Sequence, residues 1–123
     1  MRNMEHINIK PLSVNEAYRG RKFSTEKLQS YKQIIPFLLP KIKIPKGKLQ
    51  VKYVFGVSSK NSDGDNLIKA FQDILQEHYG FNDREIYKWV IEKRIVPKGQ
   101  EYIGFDIKSY LCSSTKGVDN SVD

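Results

Sequence analysis

Leu49, Val51, Tyr53, Phe55 and Val57 alternate with Gln50, Lys52, Val54 and Gly56, and this period of two predicts a strand with one buried face. A different period follows. Leu67, Ala70, Phe71, Ile74 and Leu75 recur at helical spacing, predicting an amphipathic helix from about Asn66 to His78, with Gly80 fit to close it. An earlier stripe, Leu28, Tyr31, Ile34, Ile35, Leu38 and Leu39, predicts another helix that Ser24 or Thr25 can cap. Pro36 lies inside that stripe and predicts a kink or a stop and restart, and Pro40 ends it.

Ile86 to Val96 is rich in β-branched and aromatic residues and reads as a long strand. The turn Pro97-Lys98-Gly99-Gln100 then predicts that Tyr102 to Ser109 returns as its hairpin partner. At the other end, His6-Ile7-Asn8-Ile9 alternates as a short first strand before a loop from Pro11 to Arg21. Lys41 to Lys48 is a basic connector or edge strand, and Ser58 to Gly64 is a polar loop. The order β-α-β-α-β-β predicts an α+β domain, its helices packed on a mixed, largely antiparallel sheet. That domain is expected to span residues 1–111, and the small polar residues of 112–123 read as a disordered tail.

The chain's 123 residues suffice for one core and not for two. Its formal charge of +7 and sequence pI near 9.5 favour a polyanionic partner, since neutralised phosphates release counterions. Cys112 is the only cysteine, which excludes a disulfide framework within one chain and fits a reducing compartment. No apolar run reaches the length of a membrane span, and Met1 to Lys10 does not read as a signal peptide. A cytoplasmic protein with no membrane partner is therefore expected.

Against this basic background, Asp63, Asp65, Asp73 and Asp83 stand out. In extended chain Asp63 and Asp65 would point to one side and could reach one ion. Mg²⁺ suits such a pair, with Mn²⁺ as an alternative, because it takes few carboxylates and completes its shell with water and phosphate oxygens. Asn66, Lys69 and Asp73, spaced i, i+3 and i+7, fall on one helix face beside the apolar stripe. Asp83 completes the cluster if the sheet brings it near. Structural alternatives stay open at this level: turn aspartates, a helix cap at Asp65 or Asn66, and an ordinary i,i+4 pair of Lys69 with Asp73. An EF-hand is excluded, because Leu67 falls where a ligand is needed.

The run Asp63-Gly64-Asp65-Asn66-Leu67-Ile68-Lys69, with Asp73 and then Asp83 after a Gly-Phe turn, resembles the RusA-type Holliday junction resolvases. Pro11-x-Ser13-x-Asn15-x-x-Tyr18-Arg19 and the turn at Pro97-Lys98-Gly99 are similar to that family as well, so the likeness runs through residues 7 to 109. The resemblance implies a homodimeric, Mg²⁺-dependent endonuclease, of phage or prophage type, that nicks two opposed strands of a four-way DNA junction. It implies that Asp63, Asp65 and Asp83 bind the metal, that Lys69 is the essential lysine, and that Asp73 holds Lys69. One departure is the single acid at Asn82-Asp83, where the family often carries two.

Arg19, Arg21 and Lys60 flank the matched motifs and are the expected phosphate contacts. Trp89 is expected in the core or at a subunit interface, and neither His6 nor His78 has a ligand-spaced partner. No organic cofactor is expected. The competing expectations are a nuclease for other branched DNA and a noncatalytic basic DNA-binding protein whose acids only cap and solvate.

Overall fold

The computed structural model describes residues 4–13, 18–19, 23–24, 26–60 and 64–110. Strand β1 is Glu5–Ile7, and the two-residue strands β2 (Tyr18–Arg19) and β3 (Phe23–Ser24) form a small separate sheet. Helix α1 spans Glu26–Leu38, β4 Leu49–Val57, α2 Gly64–Tyr79, β5 Ile86–Ile95 and β6 Tyr102–Ser109. A short 3₁₀ turn, Asp83–Glu85, leads into β5.

Four strands make the main sheet in the order β1-β6-β4-β5. β4 pairs parallel with β5 and antiparallel with β6, and β6 pairs antiparallel with β1. The fold is thus α+β, with two helices on a mixed sheet.

The expected hairpin between the last two strands is not formed. β5 and β6 lie on opposite sides of β4, and the turn with Gly99 at φ +94° carries the chain past the end of β4 rather than folding one strand onto the next. The cause is topological. A strand that follows α2 as a parallel crossover takes one edge of β4, which leaves β6 the other.

Alternation on β4 decides which face holds the core. Leu49, Val51, Tyr53, Phe55 and Val57 are buried beneath the helices, joined by Ile103, Phe105 and Ile107 of β6. Leu67, Ala70, Phe71, Ile74 and Leu75 of α2 fill that core as the helical period requires. The Phe71 ring meets Tyr53, Phe55 and Phe105 edge-on, with centroids 5.7–6.3 Å apart. α1 contributes Leu28, Tyr31 and Ile35, while Ile34 and Leu38 of the same stripe are half exposed and Phe37 is almost fully exposed.

Pro36 neither stops nor restarts α1, which is unbroken from Glu26 to Leu38. It stands in the last turn, and beyond it the Leu39 N–H still bonds the Ile35 carbonyl at 3.1 Å. Gly80 closes α2 at φ +77°, its N–H bonded to the Gln76 carbonyl at 2.8 Å. Residues 41–48 form a connector without strand pairing. The segment 112–123, with Cys112, lies outside the described residues, and no described helix is long and apolar enough to cross a membrane.

Candidate functional site

The candidate residues follow from two elements, α2 and the turn before β5. Helix α2 begins at Gly64, two residues earlier than its apolar stripe predicts. Asp65 and Asn66 therefore sit inside the first turn and do not cap the helix, and Asp65 is not in the extended chain that would turn it and Asp63 to one side. An acidic residue in a first turn is favoured by the helix dipole. Asp63 and Arg21 lie outside the described residues, and of Arg19 only the strand backbone is described.

One turn further along α2, Lys69 and Asp73 stand on the exposed flank while Leu67, Ala70 and Phe71 face the core. Lys69 Nζ lies 3.4 Å from Asp73 Oδ2, with both side chains about half exposed. At that exposure the pair adds little stability, but it confines a long, flexible ammonium to one side of the helix.

Asp83 is elsewhere. It belongs to the 3₁₀ turn just before β5, whose first residue, Ile86, is level with Leu49 at the start of β4. The loop leading to α2 leaves from the other end of β4, after Val57. Between those two ends lie the nine residues of β4, on the order of 25 Å of strand. Within the chain the described backbone therefore separates Asp65 from Asp83. Among the described residues, no group of three His, Cys, Asp or Glu side chains is arranged to hold a metal ion.

The neighbour of Asp83 has a structural task. Asn82 accepts from the Arg84 N–H at 3.0 Å, and its own N–H reaches Glu85 Oε1 at 3.4 Å, a reciprocal cap on the turn. The neutral amide found where a second acid was expected thus holds the backbone that presents Asp83.

Near the α2 end of the sheet, Lys60 is exposed, and its carbonyl accepts from Lys93 Nζ at 2.8 Å. Lys93 pairs with Phe55 in the parallel register, so its ammonium reaches back over the loop that leads to α2. Lys93 is not among the phosphate contacts expected from the sequence. Its place beside Lys60 needs the parallel β4–β5 pairing, which no local signal encodes.

A second polar cluster spans the helix layer and β5. Gln72 Oε1, buried on α2, accepts from the Tyr53 hydroxyl at 2.9 Å and from Trp89 Nε1 at 3.0 Å. Burial pushes the Tyr53 hydroxyl well above the ordinary tyrosine range, so it stays a neutral donor. Trp89 is 45% exposed, neither sealed in the core nor free of it. On the face of the sheet opposite the helices, Glu92 Oε2 accepts from Arg94 Nε at 2.6 Å, and that bond holds the Glu92 carboxyl below its usual range. His6 stacks on Tyr102 at 4.4 Å, and His78 is exposed in the last turn of α2; neither joins the acids.

Compared with known proteins, the chain matches no family model, and no curated protein matches it.

Proposed function

We propose that this chain is a metal-dependent endodeoxyribonuclease for branched DNA, resolving four-way junctions by paired nicks in the manner of the RusA-type resolvases that it resembles. The observation that carries the reading is the exposed flank of α2. The helix buries Leu67 of the motif, packs Ile68 partly against the core, and turns Lys69, confined by Asp73 at 3.4 Å, toward solvent within two turns of Asp65.

Mg²⁺ is the cofactor that the resemblance implies, with Asp63, Asp65 and Asp83 as its ligands. Carboxylate oxygens suit it, and when bound it lowers the pKa of a water and draws charge from a phosphate. The separation of Asp65 from Asp83 does not fit all three acids on one ion in one protomer, so Asp63 and Asp65 are the pair adjacent in the chain. The remaining chemistry belongs to the protein's own groups. Lys69 supplies positive charge to the anion that builds at phosphorus during in-line attack. Lys60, with Arg19 of β2 and Arg21, holds the DNA backbone through phosphate contacts.

A synthetic mobile junction and a matched linear duplex of identical sequence, each with and without Mg²⁺, test the reading. The expected result is paired nicking of the junction alone, in metal alone. Asp65→Asn and Lys69→Ala should each lower the nicking rate at least 100-fold while junction binding persists. Full nicking by Asp65→Asn would overturn the assignment.

The second reading is a noncatalytic basic DNA-binding protein, favoured by the same separation of Asp65 from Asp83. It predicts junction binding that falls steeply with salt and no nicking by the wild type under any metal.

A further inference from the structure

Both helices pack on one face of the main sheet, and among the described residues no helix covers the other. Paired residues share a face, so the even-numbered residues of β4, from Gln50 to Gly56, stand on the open side. The even-numbered residues of β5 from Lys88 and of β6 from Tyr102 stand beside them, and His6 joins from β1 opposite Gly104. This face carries Lys52, Lys88, Arg94 and Lys108 against Glu92 and Asp106, and Glu92 already accepts from Arg94.

Aromatic rings close it at both ends. Where β4 begins, the Tyr87 and Tyr110 rings stack with centroids 5.9 Å and planes 15° apart, and Lys48 Nζ lies 5.0 Å from the Tyr87 centroid. Where β4 ends, His6 stacks on Tyr102 at 4.4 Å and 13°. The Tyr102 ring fills the space over Gly56 that any Cβ would take, and Arg94 bonds its hydroxyl. Packing on Gly56 thus accounts for Tyr102. His6 and Tyr87 are exposed, the latter by 56%, and their rings bury little.

We infer that the face of the sheet opposite the helices binds single-stranded DNA, its bases stacking on the Tyr87 and His6 rings and its phosphates on the lysines between. The surface itself needs no part of the endonuclease reading above; the choice of DNA over RNA rests on it, because a nuclease for branched DNA meets unpaired bases at the branch.

The combination of groups selects the occupant. Exposed rings alone suit any apolar partner, and cations alone suit any polyanion. Rings at two ends with lysines between them suit a polymer that alternates flat bases with phosphates. A duplex keeps its base faces stacked inside, so it can use the cations and not the rings. From the level of Leu49 to that of Gly56 is about 23 Å of strand, room for about four nucleotides, the short end of single-strand sites. The His6–Tyr102 end is also the end from which β4 leads through Lys60 to α2. A strand laid along the face therefore runs toward the segment that holds Asp65 and Lys69 on the other side of the sheet.

Fluorescence anisotropy on the full-length chain tests the surface, with a labelled oligothymidine of about ten nucleotides and a chelator present so that nothing is cut. Tyr87→Ala and His6→Ala should each raise the dissociation constant at least about fivefold while leaving the denaturation midpoint close to wild type. Lys88→Ala and Lys108→Ala should each lower the slope of log affinity against log salt by about 0.7. Lys41→Ala and Lys43→Ala, exposed on the connector and off this face, serve as charge-matched controls and should leave the slope near wild type.

Equal slope losses in the connector variants, or ring variants that bind as wild type, would reduce the surface to diffuse charge and overturn it. A duplex of the same length that competes as well as the single strand would overturn it too. Oligouridine bound more tightly than oligothymidine would overturn the choice of DNA. Junction nicking beside absent single-strand binding would sink this surface and leave the endonuclease reading in place. Ring-dependent binding by a chain that never nicks would do the reverse.

Discussion

β4 and β5 are neighbours in parallel register, of nearly equal length, and both are rich in β-branched and aromatic residues. Yet no residue of β4 is exposed, while β5 is buried only at Ile86, partly buried from Val90 to Glu92, and exposed elsewhere. The strand order accounts for the contrast. β4 has β6 and β5 on its two edges and the Phe71 side of α2 above it, whereas β5 has one edge paired and meets α2 mainly through Trp89 and Gln72. Burial here is a property of position in the sheet, and composition reports it poorly.

The strongest way to break the comparison is to remove matched apolar groups from each strand. Phe55→Ala empties a fully buried site and should cost about 3–5 kcal/mol, whereas Ile95→Ala, 57% exposed, should cost under about 1 kcal/mol by chemical denaturation. Near-equal losses would mean that β5 is covered in solution.

A smaller effect sharpens it on the other face of β4. A Cβ on Gly56 would come within 2.4 Å of the Tyr102 ring, so Gly56→Ala should cost about 1–3 kcal/mol. Pairing it with Tyr102→Ala should restore part of that loss, since the obstruction is the ring and not the backbone.

The smallest concerns a polar tie between β5 and the helix layer. Trp89→Phe removes the Nε1 donor to Gln72 while Tyr53 still supplies the other, and should cost about 1 kcal/mol. Trp89→Phe combined with Tyr53→Phe should cost more than the sum of the two single changes, because Gln72 then loses both donors while buried.

Much of the fold was legible because period and burial coincide in its centre. The alternation from Leu49 to Val57 and the helical stripe from Leu67 to Leu75 both describe one-sided burial, and the structure forms both elements. Pairing was not legible. Pro97-Lys98-Gly99 has the chemistry of a hairpin turn, and nothing local shows that β4 lies between the strands it joins. The start of α2 was misjudged because Gly64 and Asp65 carry turn chemistry, while helix formation there follows from the core packing of Leu67 and Phe71. At the candidate site, the spacing of Lys69 and Asp73 sufficed for their contact. The reach of Asp83 depends on which end of a parallel unit it occupies, and one-dimensional spacing carries no such information.

One feature of the sheet also bears on how the chain acquires its shape during synthesis. Among the described residues β1, at Glu5–Ile7, pairs with β6 alone, with Ile7 opposite Ile103. During translation β1 thus waits for its partner β6 for about 5–20 s at ordinary elongation rates, longer than β4 waits for β5 or β6. Such long-range closure slows folding, and through that interval the nascent amino-terminal strand is accessible to chaperones.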